Sequence, residues 1–248
     1  MPAVKPLVTL LEYTTHPEMT VAKAAKLCYS DSTIEEIGEK LTEEDTAKFI
    51  RRLASFGHQS PVEHASFTFG IEGVSRALLA QISRHRIASF SVKSQRYVSC
   101  AEDFNYIVPN SIVALGETAV AEYTAQMKQI GQWYAYWQSR LGEGEKSNED
   151  ARFVLPNACE TKMVVTMNAR ELLHFFELRC CNRAQWEIRE VAWQMLRLVL
   201  TVAPNLFEKA GPKCVNGSCG EGKMSCKKAE EVRAYQQGLV NEAKEARK

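Results

Sequence analysis

Apolar positions recur along this chain with two periods. Leu7 to Tyr13 reads as a strand, and ASFTFGI at 65–71 alternates so that Phe67, Phe69 and Ile71 share one face. Met163 to Met167 predicts a short buried strand. Spacings of three and four predict helices over Thr20–Cys28, over Thr42–Phe56 with Phe49, Leu53 and Phe56 on its stripe, and over Val74–Arg84 through Leu78 and Ile82. The longest periodic stretch, 111–141, strings Ile112, Leu115, Tyr123, Met127, Ile130, Tyr134, Trp137 and Leu141 into one helical stripe, followed by a polar break at 142–150. Asn168 with Glu171 three residues later reads as a capping box opening another helix. Gln185–Val202 is predicted to bury Ile188, Val191, Met195, Leu198 and Val202 before Pro204 stops it. A charged helix follows from about Ala229. Strands interspersed with longer helices, without regular βαβ alternation or internal repeats, predict an α+β fold: a small, mostly antiparallel sheet with long helices in a single domain. Its expected limits are residues 1–210, with 211–248 as a cysteine-containing tail.

Composition narrows the function classes. The 248 residues include 31 Lys or Arg against 30 Asp or Glu, a formal charge of +1, so no global field draws the chain onto a polyanion or an anionic membrane. Eight cysteines in a chain this long fall far below the density of a small disulfide scaffold. The opening MPAVKPLVTLLEY has too short an apolar run for a secretory segment, and the stretch near Met195 to Phe207 is interrupted by Arg197 and Pro204, so no membrane span is expected. The expectation is a cytoplasmic protein with reduced thiols.

Candidate chemistry concentrates in three places. RHRIASFSVKSQRY at 84–97 holds three arginines, a lysine, a histidine and three serines with no acid. Guanidinium groups fork onto phosphate oxygens and hydroxyls supply further donors, which suits an anion; a solvated basic face is the plainer alternative. On an ideal helix Arg84, His85 and Arg86 point about 100° apart, so they divide between ligands or subunits unless the chain leaves the helix there. GHQSPVEH at 57–64 gathers His58, Ser60, Glu63 and His64, either as a ligand-facing loop, as a metal site lacking H-E-x-x-H spacing, or as a turn satisfying its own backbone. In NARELLHFFELRCCNRAQWEIR at 168–189, Arg170 and His174 share one helical face, and Arg179 and Arg183 share another. Those arginines either meet anions or pair with Glu171, Glu177 or Glu187.

Together these residues resemble the flavin-dependent thymidylate synthases. Arg84-His85-Arg86, seven residues, then Ser94-Gln95-Arg96 match the family's RHR-x7-S-x-R motif without a gap. GHxxPxEH precedes it, Q-x-x-R falls at Gln81 and Arg84, E-x-x-R at Glu149 and Arg152, and N-x-R at Asn168 with Leu178-Arg179 downstream. The resemblance covers roughly residues 20–210 and implies a homotetramer with sites shared between subunits. It implies FAD binding at Ser60, Arg84, His85, Arg86, Val92, Asn168, Arg170 and His174. It implies dUMP binding at Gln81, Arg84, Val92, Lys93, Ser94, Gln95, Arg96, Arg152 and Arg179, with Arg179 catalytic through a fixed positive charge on the uracil ring. Ser94, with no base adjacent in sequence, is assigned to binding. The implied reaction converts dUMP to dTMP with 5,10-methylenetetrahydrofolate as carbon donor and NADPH-reduced FAD as hydride source. No GxGxxG fingerprint is present, so both dinucleotides would bind without a Rossmann unit.

The chain departs from the family pattern at Val92, where many members carry Glu or Gln, at His174 for Asn, at Arg183 for His and at Cys28 for Ser. His174 raises the expectation of a pH-dependent flavin affinity near neutrality. Two other classes compete: a nucleic-acid binder gripping phosphates through residues 84–97, and a flavoprotein without methyl transfer. The periodic, core-like aromatics and the balanced charge outside the cluster weigh against nucleic acid. In the tail, Cys214, Cys219 and Cys226 offer either a zinc site completed by Cys180, Cys181 or a histidine, or reduced thiols in a surface loop.

Overall fold

The computed structural model describes residues 3–39, 41–100, 104–142 and 144–246, with the side chains of 54–56 outside that description. The chain runs β1 (Leu7–Tyr13), α1 (Pro17–Leu27), α2 (Ile34–Glu39), α3 (Glu43–Phe56), a 3-10 turn (Ser60–His64), β2 (Ser66–Ser75), α4 (Arg76–Ile82) and β3 (Ala88–Val92). It continues through α5 (Asn110–Val113), α6 (Glu117–Leu141), α7 (Glu145–Ala151), β4 (Glu160–Asn168), α8 (Ala169–Arg179), α9 (Trp186–Val202), α10 (Pro204–Phe207) and α11 (Ala229–Glu245). The four strands form one antiparallel sheet in the order β1-β2-β4-β3, an α+β architecture. The Thr68 and Thr166 hydroxyls, 2.9 Å apart, set the register between β2 and β4.

The alternation in β2 buries Phe67, Phe69 and Ile71, as the sequence pattern requires. In β4 the alternating positions Thr161, Met163, Val165 and Met167 are buried, so the strand is longer at both ends than its apolar core MVVTM suggests. Val74 belongs to β2 rather than to a helix. The strand runs to Ser75, whose Oγ accepts from the Leu78 N–H at 3.0 Å and caps α4. That helix ends at Ile82, so Arg84, His85 and Arg86 lie beyond it.

Three other expectations shift. The 111–141 stripe is split at Gly116, whose φ of +98° no helix accommodates, leaving Leu115 76% exposed between α5 and α6. The polar stretch 142–150 supplies α7, because Gly144 precedes a run with Glu145 in the first turn. Along α9 the buried stripe is Ile188, Val191, Ala192, Met195, Leu196, Val199 and Leu200, while Leu198 and Val202 are half-buried. The Phe56 position closes α3 as expected, but its side chain lies outside the described residues.

Two compact units emerge. The first comprises Met1–Leu7, Ile71–Arg84 and Phe90–Val164; the second comprises Val8–Gly70, His85–Ser89 and Val165–Lys248. All four strands contribute residues to both. The core of the first unit gathers Phe104, Tyr106, Met127, Tyr134 and Cys159. In the second, Phe207 meets Phe67 and Phe176 edge-on, with ring centroids 5.5 and 5.9 Å apart. The tail belongs to this second unit. Trp193 of α9 meets Tyr235 of α11 edge-on at 4.9 Å, and Arg233 donates to the carbonyls of Cys214 and Gly217 at 2.7 and 2.8 Å. No helix among the described residues is long and apolar enough to cross a membrane.

Gly73, within the first unit, combines a φ of +67° with a backbone approach so close that an added Cβ would meet the Lys5 carbonyl oxygen at 2.0 Å. Gly116 has open space around it. Gly116→Ala therefore carries only the dihedral cost, about 1–3 kcal/mol. Gly73→Ala adds a displacement of β2, and urea titration should show it to be the more destabilising of the two.

Candidate active site

The second unit holds a buried polar chain centred on His85. Leaving α4 after Ile82, the backbone carries His85 inward, where its ring packs edge-on against Phe175 with centroids 4.9 Å apart. Nδ1 lies 2.8 Å from Oε1 of Glu171, and the Arg179 Nε donates to Nε2 at 3.0 Å. The side chains of His85 and Glu171 are only 4% and 7% exposed. A carboxylate only accepts and a guanidinium only donates, so a single tautomer satisfies both contacts: neutral imidazole with its proton on Nδ1. Burial pushes the His85 pKa below 6.5, opposed by the Glu171 hydrogen bond and reinforced by the nearby charges of Arg179 and His174.

This arrangement revises the capping-box expectation. Asn168 does cap α8, its Oδ1 accepting from the Glu171 N–H at 2.9 Å. The Glu171 carboxylate, however, turns to His85 instead of back to the cap. Asn168 thus commits its carbonyl oxygen to the helix. Arg183 does not share a face with Arg179, because α8 ends at Arg179; Arg183 sits in the following turn, 2.6 Å from Glu221.

The remaining residues of the second unit spread over its surface. Ser60 opens the 3-10 turn, its Oγ 3.2 Å from His58 Nε2, while the Tyr29 hydroxyl is 3.2 Å from His58 Nδ1. Arg170 pairs with Glu63. His174 is exposed, with its ring centroid 5.9 Å from that of His85, and Arg86 is also exposed. A cavity of 670 Å³ has His58, Gln59, Leu173, Glu177, Lys209 and Lys213 among its lining residues.

The first unit organises the loop after β3. Val92 ends the strand half-buried, and the Lys93 N–H donates to the Lys162 carbonyl at 2.9 Å. Ser94 Oγ accepts from the Arg96 N–H at 3.2 Å, tightening the turn, and Gln95 donates to Cys159 Sγ at 3.5 Å. Arg96 lies between two carboxylates, 2.7 Å from Glu145 and 3.1 Å from Glu149. Its carbonyl accepts from Asn148, so α7 braces the loop. Glu149 and Arg152 do not form an ion pair with each other: the Arg152 Nε donates to the Glu149 backbone carbonyl at 3.1 Å. Gln81 occupies the last turn of α4, and Arg84 is exposed just after it. Beside this loop Cys100 and Cys159 share a hydrogen bond, which lowers the Cys100 thiol to about 7 and raises that of Cys159. Among the described residues no group of three or more His, Cys, Asp or Glu side chains is arranged to hold a metal ion. The metal alternatives at residues 57–64 and at Cys214, Cys219 and Cys226 find no support there.

The sites anticipated for dUMP, apart from Arg179, thus fall in the first unit, and those anticipated for FAD, apart from Arg84 and Val92, fall in the second. Glu171 was missed as a site residue; the sequence marked it only as an acid at the third position of a capped helix and as one candidate partner for the neighbouring arginines.

Cations presented on loops and helix ends of both units define an α+β protein suited to small anionic ligands. The family model described as "Thymidylate synthase complementing protein" matches residues 9–205, and the chain belongs to that family. A relative from Clostridium tetani named flavin-dependent thymidylate synthase is 52% identical, covering 91% of this chain and 95% of its own. One of the same name from Geobacter sulfurreducens is 53% identical over 91% and 96%. A more distant one from Pyrococcus furiosus is 42% identical over 86% and 89%.

The lowered His85 pKa makes a stability prediction. Between pH 6.5 and the lower folded value the unfolded chain binds the proton and the native one does not, so stability rises with pH across that window. The His85 contribution is whole above pH 6.5 and is lost as pH falls from there through the folded value. In His85→Gln that dependence is removed. The unfolding free-energy gap between the two proteins should narrow from pH 7 to pH 5, and a constant gap would contradict a neutral buried His85.

Proposed function

We infer that this protein is a flavin-dependent thymidylate synthase that reductively methylates dUMP to dTMP, with 5,10-methylenetetrahydrofolate as carbon donor and NADPH as reductant. The membership of residues 9–205 in the family, with relatives of that name at 52% and 53% identity over nearly the whole chain, carries this reading. The two competing classes gain no comparable support.

The donor set fits FAD. Its pyrophosphate needs several cations, and Arg84 and Arg86 are exposed, as are Arg170, His174 and Ser60. The FAD ligands proposed are Ser60, Arg84, Arg86, Asn168, Arg170 and His174, together with His85 and Val92 through their backbones, since both His85 ring nitrogens are engaged. When bound, FAD supplies the hydride that completes the methyl group. For dUMP, Arg96 offers a phosphate-binding guanidinium braced by Glu145 and Glu149, so the phosphate enters a geometry fixed beforehand. Ser94, Gln95 and Lys93 supply donors along the same loop, with Val92, Gln81, Arg84 and Arg152 completing the nucleotide contacts. Arg179 places its fixed positive charge against the uracil ring, stabilising the negative charge that develops there. No side chain acts as a nucleophile. Residues 1–210 carry the chemistry, the 211–248 tail braces α9, and the working form is a cytoplasmic homotetramer with sites shared between subunits.

Purified protein should show a visible flavin spectrum and release tritium from [5-³H]dUMP when folate and NADPH are present. Arg179→Ala should reduce that release by about 100-fold or more, the scale of removing a donor aimed at developing charge. Arg96→Ala should act mainly by raising KM for dUMP. A protein that cannot be reconstituted with FAD would contradict the reading.

A further inference from the structure

We propose that Glu171 is a positioning residue for the reaction, acting on Arg179 through His85. The inference rests on the assignment of Arg179 given above.

Glu171 and Arg179 both lie on α8, eight residues apart, which separates them by about 12 Å along the helix axis. His85, from the connection between α4 and β3, bridges the two. Its Nδ1–H donates to Glu171 at 2.8 Å and its Nε2 accepts from the Arg179 Nε at 3.0 Å. The Arg179 Nε sits at the base of the guanidinium fork. A bond there fixes the plane and the direction in which both Nη groups point, which a long side chain with several rotatable bonds does not do alone.

The tautomer makes the effect directional. With the proton on Nδ1, Nε2 presents a lone pair to Arg179. With the proton on Nε2, or with the ring charged, an N–H would face the Arg179 N–H and displace the guanidinium. The Glu171 carboxylate selects the productive tautomer because it can only accept. Phe175 holds the imidazole plane edge-on from the side, and the nearby titratable and charged groups are Glu171, His174 and Arg179, all from α8. A group that sets the orientation of a reacting partner by this kind of contact commonly changes activity by about 10- to 100-fold when removed.

The test is a double-mutant cycle on the flavin-loaded enzyme, with wild type, Glu171→Gln, Arg179→Ala and the combined variant compared by kcat/KM for tritium release from [5-³H]dUMP. Glu171→Gln should lose about 10- to 100-fold. The combined variant should fall no further than Arg179→Ala, because without Arg179 there is nothing left to position. Glu171→Gln should also move the acid limb of the pH profile to lower pH, since the carboxylate favours the charged imidazole. A purely structural role for Glu171 would leave the limb in place and make the two losses multiply. Either outcome overturns the proposal, as does a Glu171→Gln enzyme with wild-type activity. If Glu171→Gln fails to retain flavin, Glu171→Asp, which keeps the charge but shortens its reach, gives the same cycle. Wild-type activity in Arg179→Ala would instead overturn the Arg179 assignment itself, and the catalytic purpose of the contact with it.

Discussion

A carboxylate taken out of water must find partners that replace its hydration, and in this protein's second unit the Glu171 side chain is only 7% exposed. Its neighbour is a histidine that burial itself keeps neutral, so the pair is held by a charge-assisted hydrogen bond more than by opposite charges. That contact ties the start of α8 to the segment that carries the RHR motif. It also explains why the outer members of that motif are exposed while the middle one is buried: a chain that has left its helix can send His85 inward and Arg84 and Arg86 outward. The three residues are therefore not equivalent. His85 organises, whereas the arginines are available to anions.

The first unit solves a related problem differently. Arg96 is held in place by two carboxylates of α7. Being partly exposed, these pairs contribute little to stability. Their value lies in orientation, since they reduce the conformational freedom of a long side chain. The same reasoning applies to Ser94, whose hydroxyl tightens the turn that presents Gln95 and Arg96.

Much of the fold was legible because side-chain period reports burial directly. Phe67, Phe69 and Ile71 alternate and are buried, and the Asn168 cap marks the first turn of α8. The errors came where local patterns compete with geometry that only the folded chain supplies. Gly116 interrupts a stripe that is continuous in apolar spacing, and the polar stretch before Arg152 becomes α7 because its helix is stabilised by packing around Ser147, Asn148 and Ala151. The candidate site was legible as motifs and in its residue types, but not in its wiring. Nothing in the sequence says that Glu171 faces His85 from 86 positions away, or that Glu149 reaches Arg96 instead of Arg152. Those partners are set by tertiary contacts, and a capping-box pattern actively suggests a different use for Glu171.

Both ring contacts of His85 require a neutral imidazole with its proton on Nδ1. Long-range ¹H–¹⁵N correlation of the ring nitrogens in selectively labelled protein reads that state directly. The expected spectrum at pH 7 shows a protonated Nδ1 and an unprotonated Nε2, the latter in the range of a hydrogen-bonded acceptor. A proton on Nε2, or an imidazolium with both nitrogens protonated, would contradict a neutral His85 that accepts from Arg179.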